Sequence, residues 1–136
     1  MEEMEHFIAN DMLARHLGIE VLEHSPGRAR AKMEVGHQHL NSAGILHGGA
    51  TFALADTVFA VASNSHGTLA VAINASISYF KAVRHGAVFA EAEEVSINPK
   101  LATYPIRVQD EQRDAVALFQ GTVYRKKELL RDLPRS

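Results

Sequence analysis

The chain has 136 residues and contains no cysteine and no tryptophan. Without cysteine there is no disulfide, no thiolate zinc site and no cysteine nucleophile. Charge of one sign is also missing: the formal net charge is −2. The chain therefore offers nucleic acid no basic footprint, and no nucleic-acid partner is expected. The start, Met1-Glu-Glu-Met-Glu5, is acidic and does not read as a signal peptide. The most apolar stretch, Gly48–Ala62, is shorter than the ~20 residues a membrane span needs, and no membrane partner is expected. These absences agree with a cytoplasmic location, which is the expectation. The length suits a single domain over 1–136, and 46% hydrophobic residues suffice for a core.

Residues from about Met4 to Leu17 suit one short amphipathic helix stopped by Gly18. Ile19–Glu23 reads as a strand and Ser25-Pro-Gly27 as a turn. Over Arg28–Val35, Arg28, Arg30, Lys32 and Glu34 alternate with Ala29, Ala31, Met33 and Val35, a half-buried strand. Gly36–Leu46 is a loop, followed by a buried helix to about Ser65 with Gly67 near its end. Four more strand-like runs follow: Ala70–Phe80, Ala87–Ile97 with a bulge near Glu93-Glu94, Leu101–Gln109 and Ala115–Tyr124. The charged tail at about 125–136 is expected to fray or form a short surface helix. The class is α+β: a central helix beside an antiparallel sheet of five to six strands. A helix apolar on every side cannot be covered by one sheet face; the sheet must wrap it, or a second subunit must cover the rest.

Asp56 is the only ionisable group within Gly48–Ala62. A buried carboxylate without a partner costs several kcal/mol. It is either a structural acid satisfied by hydroxyls such as Thr51 or Thr57, or a functional group. Upstream, His47-Gly48-Gly49 marks the start of the helix. Asp56 follows Gly48 by eight residues, about 12 Å at ~1.5 Å per residue. A reacting carbonyl needs its oxyanion donor and its base each within about 3 Å. One helix cannot supply both, but two antiparallel copies can. The spacing therefore predicts a site shared across a two-fold dimer, with Gly48 from one chain and Asp56 from the other.

Asn41-Ser-Ala-Gly-Ile-Leu-His-Gly-Gly49, Leu54-Ala-Asp-Thr57 and Ala60-Val-Ala-Ser-Asn64 together resemble the PaaI-type acyl-CoA thioesterases of the hotdog-fold superfamily. The resemblance spans about Leu13 to Tyr124. It implies a long central helix wrapped by an antiparallel sheet, dimers that pair into a tetramer, and hydrolysis of small or aromatic acyl-CoA such as phenylacetyl-CoA, a reaction of phenylacetic acid degradation. It implies that Asp56 activates water or attacks the carbonyl itself, that the Gly48 N–H polarises that carbonyl, and that Asn41 contacts the thioester or the water. His47, Gly49 and Thr57 take lesser roles. Two positions depart from related enzymes. Ala60 stands where some carry Ser or Thr one turn beyond the acid, and Ala72 stands where another branch carries a water-orienting Ser. Asn74 or Ser76 is the candidate substitute. Lys81, Arg84 and Lys100 are candidates for the CoA phosphates. Phe52, Phe59, Tyr79 and Phe80 read as core, with an aromatic acyl pocket as the alternative. No cofactor is implied, since coenzyme A is part of the substrate.

His37, His39 and His47 raise a metal reading through the His-x-His spacing, but no carboxylate stands near at ligand spacing, so no metal is expected. Ser42 or Ser63 with His66 could enter a triad, but there is no nucleophile elbow. Two rivals share the fold: a hydroxyacyl-thioester dehydratase, whose loop usually carries a Pro-Gly element absent between Gly36 and Leu46, and a non-catalytic acyl-CoA-binding module.

Overall fold

A computed structural model describes residues 2–134. The N-terminal segment forms two helices, α1 (Glu2–Ala9) and α2 (Met12–Leu17), where the sequence suggests one. The break has a local cause. Asp11 adopts extended backbone and its carboxylate accepts from the Ala14 N–H, so it caps a new helix instead of continuing the old one. Gly18, at φ 72°, ends α2 in the left-handed conformation expected of it.

Strands β1 (Ile19–Ser25) and β2 (Arg28–Glu34) form a hairpin. Helix α3 (Gly48–Asn64) follows, then β3 (Thr68–Tyr79), β4 (Ala87–Glu93), the two-residue β5 (Ser96–Ile97), β6 (Leu101–Gln109) and β7 (Ala115–Leu129). All pairings are antiparallel, in the order β1-β2-β4-β6-β7-β3, with β5 on β6. Since β2 and β3 lie at opposite sides of the sheet, α3 carries the chain across its concave face. Ala29, Ala31, Met33, Val88, Ala90, Tyr104, Ile106, Val108 and Phe119 meet it there. In β7, Gly121 is required by packing: a Cβ would come within 2.5 Å of the Phe59 ring. Phe59 is thus core, with ring centroids 5.5 Å from Phe119 and 5.9 Å from Tyr104. Phe52 is partly buried against Phe119, whereas Tyr79 and Phe80 are exposed.

The bulge expected near Glu93-Glu94 is present: three residues, 93–95, stand between the Ala92↔Ile106 and Ser96↔Thr103 pairs, against two on β6. Two segments depart from expectation. The C-terminal segment does not fray, because β7 continues to Leu129 against Thr68 and a 3-10 turn (Leu130–Asp132) buries Leu130. In β3, a register shift between Ala72 and Asn74 changes the parity of the strand. Val71 and Ala75, which a regular strand would put on one face, therefore lie on opposite faces.

β3 is the last strand of the sheet, and its outer edge pairs with nothing among the described residues. It is twelve residues long and exposes Val71, Ile73 and Tyr79. A long apolar edge of this kind is a template for another strand.

Candidate active site

α3 begins at Gly48, as the distance argument requires. His47 is its N-cap: Nδ1 accepts from the Gly49 N–H at 2.7 Å, which places the ring proton on Nε2. The Ala50 and Thr51 N–H groups donate to the His47 carbonyl. The Gly48 N–H has no acceptor among the described residues. It is a free donor at the positive end of a 17-residue helix. Tyr79 reaches over from β3 and donates to the Gly48 carbonyl at 2.8 Å. Burial raises its phenol pKa. A Cβ on Gly48 would sit 3.1 Å from that ring, and one on Gly49 3.0 Å from the His47 ring. Both glycines are thus constrained by their own chain as well as by any substrate.

Within one protomer Asp56 is exposed. Along α3 the positions that are not fully buried are Gly48, Gly49, Phe52, Ala53, Asp56 and Ala60, one stripe of the helix; Gly49 and Asp56 are exposed and the other four half-buried. The sheet and the N-terminal helices cover the remainder, and among the described residues this one face of an apolar helix is only partly covered. Even so, surrounding protein raises the Asp56 pKa by desolvation, and the charge of Asp11 raises it further. Asp11 was not singled out from the sequence; the available signal was an Asn-Asp pair inside an otherwise regular helical pattern.

Asn41 serves its own loop. Its Oδ1 accepts from the Ala43 and Ile45 N–H groups at 2.9 and 3.3 Å, leaving the amide NH₂ as the free half. The Thr57 hydroxyl donates to the Ala53 carbonyl at 2.8 Å and is not presented to Asp56. Asn74 and Ser76 pair with Thr122 and Gln120, while Phe119, Gly121 and Val123 point toward α3. They therefore stand on the outer face of the sheet, away from Asp56, and do not replace the water-orienting residue. The parity change in β3 puts them there.

The three cations separate as well. Lys81 is held by Asp110 at 2.5 Å and Asp114 at 2.7 Å, which raise its pKa and hold it in place at the β6–β7 turn. Lys100 precedes Leu101, whose partner Tyr124 pairs with Val71; within one protomer this is the end of β3 remote from Tyr79 and Gly48. Arg84 is exposed in the loop after β3, without an ion-pair partner among the described residues. His39 is buried within its loop: Nδ1 accepts from the Gly36 N–H and Nε2 donates to the Leu17 carbonyl. Neither ring nitrogen is left for a metal. Ser63 bonds the Ala60 carbonyl and His66 bonds Glu94, so the two do not form a triad.

A long helix laid across the concave face of one antiparallel sheet, with a free N-terminal amide and an acid at mid-length, defines a hotdog-fold protein. The chain belongs to the thioesterase superfamily, whose family profile matches residues 43–117. It is 48% identical to a candidate esterase of Archaeoglobus fulgidus over 88% of this chain and 78% of that one. It is 37% identical to the acyl-coenzyme A thioesterase PaaI of Escherichia coli, over 85% of this chain and 84% of that one. Its structure is similar to that of the E. coli PaaI protein from the phenylacetic acid degradation operon, with TM-score 0.90 and 32% identity over 94% of both chains.

Proposed function

We propose that the protein hydrolyses small or aromatic acyl-CoA thioesters at two equivalent sites of a homodimer. Each site takes the Gly48 N–H from one protomer and the Asp56 carboxylate from its partner. The observation that carries this reading is the partly covered stripe of α3: Asp56 stands at its middle and the free Gly48 donor at its end. The two are eight residues apart, or about 12 Å along the axis. Antiparallel pairing of two β3 edges would bring two such stripes together. In the reaction, Asp56 takes a proton from water as the water oxygen attacks the thioester carbon. The Gly48 N–H receives the developing oxyanion. Collapse of the tetrahedral intermediate expels the CoA thiolate and leaves the free acid. Direct attack by Asp56, giving an anhydride that water then opens, uses the same two groups. Oxygen-18 transfer in a single turnover separates the two routes.

Arg84, exposed and without an ion-pair partner among the described residues, and the partner subunit's Lys100, brought toward Gly48 by antiparallel β3 pairing, are the cations proposed to meet the CoA phosphates. The relationship to PaaI supports phenylacetyl-CoA or a related thioester as substrate. A dimer of dimers is supported by the outer sheet face. On one half, Glu23, Arg30, Glu91 and Arg107 form a charged ladder. On the other, Val71, Asn74, Leu101, Leu118 and Tyr124 carry no charge, and four of the five are exposed apolar or aromatic residues. Acyl-CoA thioesters are made and used inside cells, so this reading places the enzyme in the cytoplasm.

The test is complementation. Gly48→Pro removes the N–H at the first helical position, where proline is favoured, and Gly48→Ala, which keeps the N–H but shares the Cβ contact with the Tyr79 ring at 3.1 Å, is its control. His47 already has the extended backbone (ψ 135°) that a following proline requires. Gly48→Pro and Asp56→Ala should each lower CoA release by about 10²-fold or more. Co-expressed at equal levels, half of the dimers are mixed and each carries one intact site, so about a quarter of wild-type activity returns. No recovery would reject the shared site. Hydration of an enoyl-CoA without thiol release would favour the dehydratase, and binding without either reaction would favour the binding module.

A further inference from the structure

Tyr104, Phe59, Phe119 and Phe52 form one continuous aromatic column. Between ring centroids, Tyr104 meets Phe59 at 5.9 Å, Phe59 meets Phe119 at 5.5 Å and Phe119 meets Phe52 at 5.2 Å. Each pair is edge-to-face or tilted, the arrangement that aromatic quadrupoles favour. Tyr104, Phe59 and Phe119 are buried. Phe52 is half-buried, so the column reaches the surface there.

The open end falls within the proposed site. Phe52 stands four residues after Gly48 and four before Asp56, on the same stripe of α3, about 6 Å along the axis from each. Side chains on a helix lean toward its N-terminus, which here is the Gly48 end. Pairing that sets Gly48 against Asp56 of the partner subunit makes Phe52, equidistant from both, the midpoint of the shared surface. An acyl group with its carbonyl at Gly48 and its tail directed along α3 meets Phe52 within one helical turn. In a phenylacetyl group a single methylene separates the ring from the carbonyl carbon, so the ring itself falls at that turn.

The other aromatic candidates are committed elsewhere. Phe59 is inside the core, and Tyr79 is tied through its hydroxyl to the Gly48 carbonyl. Phe80 is exposed past the end of β3 and belongs to no aromatic pair among the described residues. The concavities do not compete. The largest, with Arg30, Phe89, Glu91 and Arg107, is on the outer face of the sheet and lined with charge. The one between α1, α2 and α3 has a volume of about 30 Å³, room for about one water.

We propose that Phe52 is a specificity-determining residue for the acyl group: it offers the open end of the aromatic column to an aromatic acyl ring, which packs on it edge to face. The proposal rests on the hydrolytic reading and deepens it, since it separates aromatic from aliphatic thioesters of equal size. Phe119 braces Phe52 from behind, so the contact is pre-organised and costs little side-chain freedom on binding. A saturated ring gains only ordinary apolar contact there.

The experiment measures kcat/KM for phenylacetyl-CoA and cyclohexylacetyl-CoA in the wild type, Phe52→Leu and Phe52→Tyr. An aromatic pair is worth about two- to tenfold beyond the area it buries. Phe52→Leu removes the ring and keeps an apolar side chain, so the phenylacetyl-to-cyclohexylacetyl ratio should fall by about that factor. Phe52→Tyr keeps the ring and should hold the ratio. A ratio that stays put in folded Phe52→Leu, whether or not both rates fall, would make Phe52 a packing residue and overturn the proposal. A second measurement needs no turnover. S-phenethyl-CoA carries the ring at the same place on a thioether that is not hydrolysed. With phenylalanine ring carbons labelled and the Phe52 signal assigned through Phe52→Tyr, NMR of the wild type should show Phe52 shifting while Phe89, on the outer face of the sheet, stays. That shift supports the contact even if no acyl-CoA is cleaved and the hydrolytic reading falls. An unmoved Phe52 signal overturns the contact whether or not the thioether binds elsewhere, and leaves hydrolysis by Gly48 and Asp56 standing.

Discussion

The Tyr79 hydroxyl bonds the Gly48 carbonyl, tying the free edge strand of the sheet to the first turn of the central helix. The same turn presents the unpaired Gly48 N–H, so the edge on which a partner would pair also sets the direction of the proposed oxyanion donor. A Cβ on Gly48 would press on the Tyr79 ring at 3.1 Å. Gly48→Ala should therefore lower kcat more than it lowers Tm. The loss should shrink in a Tyr79→Ala background, where the ring is gone. Steady-state kinetics of the four proteins in the cycle give the coupling, expected at about 0.5–3 kcal/mol for groups in contact.

Asp11 and Asp56 repel across the contact of α2 with α3. The Asp56 pKa is raised, first by desolvation and then by Asp11. Asp56 acts as base or nucleophile only when ionised, so kcat/KM should rise with pH through a pKa above the ordinary value of 3.8. Asp11→Asn removes the repelling charge and keeps a good helix cap. Its acid limb should move to lower pH. A limb that stays in place or moves upward would show that Asp11 does not act on Asp56.

The same shift has a consequence for stability. An acid whose folded pKa is raised binds its proton more tightly in the native state, so its ionisation opposes folding once the pH passes the unfolded value. Asp56→Asn should abolish hydrolysis yet raise Tm at neutral pH. The gain should vanish below the ordinary carboxylate range, where both states are protonated. Calorimetry at neutral and acidic pH checks both signs.

Dimerisation through β3 gives another test. Ile73 lies at the register shift in that strand and is 58% exposed. Ile73→Glu places like charges on the edge that two paired protomers would share. The variant should sediment as a monomer, keep its far-UV circular dichroism and lose CoA release. A monomer with wild-type turnover would contradict a site built from two chains.

Much of the fold was legible because it rests on periodicity. β2 reads directly from Arg28 to Glu34, and the start of α3 follows from His47-Gly48-Gly49. What escaped depended on one-residue events. The extra residue in β3 moved Asn74 and Ser76 to the outer face, and nothing in Ala72-Ile-Asn74 marks it. Asp11 reads as part of a continuous helix until its carboxylate is seen to cap α2. The exposure of Asp56 within one protomer was left open by the sequence for another reason. Apolar composition reports that α3 must be covered, not by which chain, and the partly covered stripe becomes visible only when one protomer is folded by itself.

Far from Asp56, a polar cluster fastens the C-terminal end of α3 to the sheet. Glu94 Oε2 accepts from Tyr104 Oη at 2.5 Å and from His66 Nε2 at 2.7 Å. The extra residue at 93–95 is what turns Glu94 inward. Burial alone would raise the Glu94 pKa, but the Tyr104 and His66 hydrogen bonds and the charges of His66 and Arg125 outweigh it and hold the pKa low. A depressed carboxylate contributes stability that is present above its unfolded pKa and is lost as pH falls through its folded value. Glu94→Ala strands the hydroxyl of Tyr104, a residue with no solvent exposure, and a buried group left without its partner costs about 1–3 kcal/mol. Urea unfolding should therefore show Glu94→Ala well below the wild type at neutral pH, with the gap narrowing as pH drops below the ordinary carboxylate range. The cluster touches neither Gly48 nor Asp56, so kcat/KM of the folded variant should stay near wild type. A large loss of activity at full folding would mean that the far end of α3 governs the position of Asp56.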